Sequence, residues 1–104
     1  MRAALMLLLI TLLGASATVA GQAPTGENAA RCTAEGIDPD LKIAGCTAVI
    51  QSGQLNDTNL SIAYNDRGIA YDNKNDYDRA IQDYDQAIRL NPSNALAFNN
   101  RGIA

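Results

Sequence analysis

With 11 acidic side chains against 8 basic ones, a net charge of −3 and no Lys/Arg cluster, this 104-residue chain is poorly matched to phosphate backbones or anionic membrane surfaces. The length allows at most one small domain. There is no histidine, so acid–base or metal chemistry would fall to carboxylates, Lys, Tyr and two cysteines.

The chain opens with a short basic start, Met1-Arg2. An apolar run follows from Ala3 to Leu13, broken only by Thr11, then small residues from Gly14 to Ala23. That layout makes residues 1–23 a signal peptide, with cleavage near Ala20 or Ala23. An uncleaved anchor is the alternative. Ala3 to Ala20 reaches a spanning length only by counting small and polar residues. Export to the periplasm or the medium is therefore expected, with membrane contact limited to targeting. About 80 residues then remain, a size at which a single core is marginal.

Residues 24–60 are expected to form a linker followed by a two-cysteine helical segment. Gln22 to Arg31 has no apolar periodicity and reads as the flexible part. In Ile37-Asp38-Pro39-Asp40, Asp38 can cap a helix and Pro39 suits its first position. Apolar residues then continue around most of the circumference until Gly53, so this helix needs neighbours on more than one side. Gly45 in its middle permits close approach of another helix. Cys32 and Cys46 are the only cysteines. In an exported chain the even count points to a disulfide, with two free thiols as the alternative.

Gln54 to Asn59 is polar and turn-like, and a helical pattern runs from about Leu60 to Lys74 with Tyr64, Gly68 and Tyr71 on one stripe. Asn75-Asp76 forms a turn, Asn75 tolerating a left-handed backbone. A second helix spans about Tyr77 to Leu90, with Tyr77, Ile81, Tyr84 and Ile88 as its apolar stripe and Ala80 and Ala87 beside it. Asp85 and Arg89 are placed for an i,i+4 pair. Pro92 ends that helix. Ala63-Tyr64-Asn65-Asp66-Arg67-Gly68-Ile69-Ala70 then returns as Ala97-Phe98-Asn99-Asn100-Arg101-Gly102-Ile103-Ala104, an offset of 34 residues. Such an offset marks a helical unit stacked on copies of itself. The chain stops inside the second copy, and more units are expected beyond it.

Tyr64-x-x-Arg67-Gly68-x-x-Tyr71, then Ala80-x-x-x-Tyr84, Ala87 and Pro92, resembles the tetratricopeptide repeat. Arg67 and Arg101 stand where that family usually has Leu, and Asn75 where many repeats have Gly. The resemblance implies an all-α fold of antiparallel helical hairpins, with repeat 1 at residues 61–94 and a truncated repeat 2 at 95–104. The helix at 37–53 would be a degenerate member of the stack. It further implies that Tyr64, Gly68, Tyr71, Ala80, Tyr84, Ala87 and Pro92 are packing positions. Ile62, Asn65, Asp66, Ile69 and Asp72, with Asn99, Asn100 and Ile103 of the second copy, would then face a concave groove that binds a protein segment. Family members that grip a terminal carboxylate usually carry Lys and Asn there. Asn65 and Ile69 fill those places here and Asp66 would repel an acidic tail, so a neutral or basic segment is the expected ligand.

Catalysis finds no motif. Asp72, Asp76, Asp78, Asp83 and Asp85 are expected as solvated charges on helix faces and a turn, and no phosphate loop, nucleophile or metal-ligand cluster is present. The expected function is a non-catalytic interaction scaffold without cofactor. The alternative is a docking module of a larger exported enzyme whose catalytic domain lies beyond Ala104.

Overall fold

The computed structural model describes residues 26–103, and the expected signal peptide lies outside the described residues. Five α-helices follow in order: α1 (Gly26–Thr33), α2 (Pro39–Gln51), α3 (Asp57–Asn73), α4 (Tyr77–Leu90) and α5 (Ala95–Ile103). No strand occurs among the described residues.

The helix ends obey local chemistry. Asp38 caps α2, accepting from the Asp40 N–H at 2.8 Å, with Pro39 at the first helical position. Past the far end, Gly53 has a φ of 70°, the left-handed geometry that stops a helix. Asn75 adopts the same geometry (φ 62°) in the tight α3–α4 turn. Asp76 next to it caps α4. The expected bounds of α4 hold at both ends. α3, however, starts at Asp57 rather than Leu60, because Asn56 accepts from the Asn59 N–H at 2.8 Å and recruits the polar residues before the apolar stripe.

α1 corrects the reading of Gln22 to Arg31 as linker, since Gly26 onward is helical. Its order comes from tertiary contacts rather than periodicity. Cys32 is joined to Cys46 by a disulfide, with Cα atoms 4.5 Å apart. Gly45 lets α1 lie against α2, and a Cβ there would stand 2.7 Å from the Arg31 Cβ. Buried Lys42 donates from Nζ to the Cys32 and Ala34 carbonyls at 2.7 and 2.8 Å. A cation thereby closes the C-terminal end of α1, where the helix dipole favours positive charge.

α3 and α4 form the best-packed hairpin. Tyr84 is fully buried with its ring against Gly68, where an added Cβ would meet the ring at 2.5 Å. Ala80 and Ala87 are fully buried on the same face. Tyr77 departs from the expected stripe. It is 47% exposed and its hydroxyl donates to Asn75 Oδ1, because its place at the first turn lies beyond the reach of α3. Buried Ser61 donates to the Ala87 carbonyl at 2.6 Å and accepts from Asn94 Nδ2 at 2.9 Å. Asn94 Oδ1 also accepts from the Ala97 N–H at the start of α5. One polar node thus ties α3, α4 and α5 together.

Among these helices α1 approaches α3 and α3 approaches α5, whereas α2 and α4 do not meet. The first helices of successive hairpins form a continuous layer, and the second helices are not in contact with each other. A stack whose inner members touch and whose outer members separate curves toward the inner side. α1–α2 occupies the place of a preceding hairpin. Arg67 Nη1 reaches back to Thr47 on α2 (3.2 Å) and Arg101 Nη1 reaches back to Asp85 on α4 (3.0 Å).

Candidate functional site: the inner helix layer

The inner face of α3 carries the expected groove residues in unequal states. Ile62 is exposed, Ile69 and Asp66 are half-buried, and on α5 Ile103 and Asn99 are exposed. Asn65 departs from expectation. It is only 5% exposed and its Oδ1 accepts from Asn100 Nδ2 at 3.1 Å. The expected groove pair is thus a bond between α3 and α5, because the Asn65 side chain lies in the junction where α5 crosses. Asp72 is half-buried and accepts from the Tyr84 hydroxyl at 3.2 Å, which sets it against the α4 packing face. Burial, followed by the nearby Asp72 carboxylate, holds the Tyr84 phenol well above its ordinary range.

Asp83 is not a solvated charge. Its side chain is 6% exposed and takes both arms of Arg67, Nε to Oδ2 at 2.8 Å and Nη2 to Oδ1 at 2.7 Å. The guanidinium also lies 5.4 Å from the Tyr64 ring centre and 5.9 Å from that of Tyr71. Bonding to Asp83 raises the Arg67 pKa further, despite burial. Arg67 therefore fills a position usually apolar in the resembled family by bringing its own counter-ion across the hairpin. Asp85 departs as well, since its carboxylate is engaged by Arg101 of α5. An exposed i,i+4 contact with Arg89 would be worth a few tenths of a kcal/mol, too little to dictate the geometry.

Sequence reading missed a cavity of about 190 Å³ between α1, α2 and α3. Cys32, Val49 and Ala63, all buried, form its base. Ala29 and Thr33 of α1, Asn59 and Ile62 of α3, and Leu55 between α2 and α3 also line it. Asp66 is the one carboxylate lining it. Burial raises the Asp66 pKa, Lys42 opposes the rise and Glu35 reinforces it. Only the Gly45 and Cys46 signals pointed toward this region, and neither indicated a hollow.

Among the described residues no cluster of His, Cys, Asp and Glu is arranged to hold a metal, and no helix is long and apolar enough to cross a membrane. The α3–α4 hairpin sets an aromatic ring on a glycine, with small residues buried between the two helices. The tetratricopeptide repeat model matches residues 61–94. That stretch is a tetratricopeptide repeat. Serine/threonine-protein phosphatase 5 from Homo sapiens and from Rattus norvegicus is similar to this chain, 59% identical over 29 residues in both. The similarity covers 28% of this chain and 6% of each phosphatase, so the chain spans a small fraction of these relatives. No solved structure matches the chain. A tetratricopeptide repeat is in general a protein-interaction module.

Proposed function

We propose that this chain is a non-catalytic scaffold whose inner layer, α1, α3 and α5, receives an extended or helical segment of a protein partner. The observation that carries this reading is the unequal spacing of the helices. The inner helices α1, α3 and α5 approach one another in succession, and Ile62, Asn99 and Ile103 on them are exposed with Ile69 half-buried. Aliphatic side chains supply area. Asn99 can both donate to and accept from an extended backbone. Asn65 serves the scaffold by joining α3 to α5 instead of meeting the ligand directly. The layout of residues 1–23 and the Cys32–Cys46 bridge both support export into an oxidising compartment, periplasmic or extracellular.

The test is affinity capture with the full chain. Ile69→Glu combined with Ile103→Glu should lose the captured partners while helicity by circular dichroism is kept. Gln82→Glu, on exposed surface of α4, should keep them. Equal capture by all three proteins would remove the inner layer as the interface.

A further inference from the structure

The α1–α2–α3 cavity is the feature the repeat itself does not explain. It exists because the disulfide and the Gly45 contact hold the eight-residue α1 beside α3. At about 190 Å³ it is smaller than the roughly 300–1,000 Å³ of small-molecule sites. Its buried base is apolar, so water gains few partners there. Its exposed lining includes Ala29 and Thr33 of α1 and Asn59 and Ile62 of α3, with half-buried Asp66 of α3 beside them.

The charges around the mouth are unbalanced. Asp66 and Glu35 are both negative and act on one another. Lys42, bonded to the Cys32 and Ala34 carbonyls, keeps its charge and acts on Asp66 more strongly than Glu35 does, so the two carboxylates and one ammonium leave a single net negative charge. A half-buried carboxylate without a bonded cation is stabilised by an incoming positive group, and repelled by an acidic one.

We propose that this cavity takes one large aliphatic side chain of the partner segment, with an adjacent Lys or Arg of that segment set against Asp66. The inference rests on the scaffold reading and names the sequence class that the α1 end of the groove selects. The apolar anchor supplies affinity by leaving water, and the cation fixes direction and excludes acidic sequences.

The probe is a random peptide library displayed on phage, selected on the full chain. Enriched peptides should share a leucine, isoleucine or methionine next to a Lys or Arg. In a synthetic copy, replacing the aliphatic residue by glycine should weaken binding about tenfold or more. Asp66→Asn, which keeps size and shape, should weaken it about threefold and abolish discrimination against a copy with Glu in place of the cation. Ala29→Trp, placed at an exposed position on the wall, should block the cavity with helicity retained. Enrichment without an aliphatic–basic pair, or binding indifferent to Ala29→Trp, overturns the proposal. So does concentration-dependent dimerisation that Ala29→Trp abolishes, which would make a second copy the occupant. Partner capture lost with the Ile69→Glu and Ile103→Glu pair but kept with Ala29→Trp would leave the scaffold and discard the pocket.

Discussion

Asp83→Ala should cost about 3 kcal/mol of unfolding free energy or slightly more, near the low end of the 3–5 kcal/mol typical of a broken buried pair. The reason is what it leaves behind. Arg67 has 18% of its side chain exposed, so its guanidinium would lose both charge-assisted bonds without gaining full hydration. Thr47 and the Tyr64 and Tyr71 rings would remain as partners, which keeps the loss from being larger. The double change Arg67→Leu with Asp83→Leu should recover most of the stability, because an apolar pair avoids the desolvation that both charges now bear. Urea denaturation of the wild type, the Asp83→Ala variant and the double variant measures it, through the midpoint at constant m. A single-variant loss under 1 kcal/mol would show that the pair contributes no more than a surface contact.

Removing the disulfide by Cys32→Ala with Cys46→Ala should cost about 3 kcal/mol, the chain-entropy figure for closing a loop of this size. The effect should also be local. α1 has eight residues, shorter than the ~12–15 at which isolated helices become marginal, and without the bridge it depends on noncovalent contacts such as the Lys42 clamp and the Gly45 approach. Hydrogen exchange should therefore accelerate in α1 and along the adjoining face of α2 while α3 and α4 keep their protection. Uniform acceleration through α4 would mean that the first hairpin governs the whole stack. Unchanged exchange in α1 would mean that the bridge is dispensable.

The parts legible in the sequence were those set by neighbours a few residues away. Asp38-Pro39, Gly53, Asn75 and Pro92 act on backbone dihedrals and free N–H groups within one turn, so the ends of α2 and α4 followed from residue identity. Gly68 and Tyr84 could both be placed in the hairpin packing because the repeat pattern constrains which faces meet. Legibility ended where a partner lies on another helix. Arg67 and Asp83 are 16 residues apart, and no local periodicity joins them. Asn65 looks exposed on α3 taken alone, and becomes buried only when α5 delivers Asn100. α1 lacks an apolar stripe and is ordered by a covalent bond and a glycine contact, both properties of the assembled hairpin. The cavity is invisible for the same reason, being what three helices leave between them.

Methyl cross-saturation on the full chain bound to a captured partner tests the interface most directly. Saturation should pass to the methyl groups of Ile62, Ile69 and Ile103 on the inner layer and leave exposed Leu41 of α2 unaffected. Transfer to Leu41 and Ile88 with the inner methyl groups silent would place the partner on the outer helices and contradict a scaffold that binds through its curved inner face.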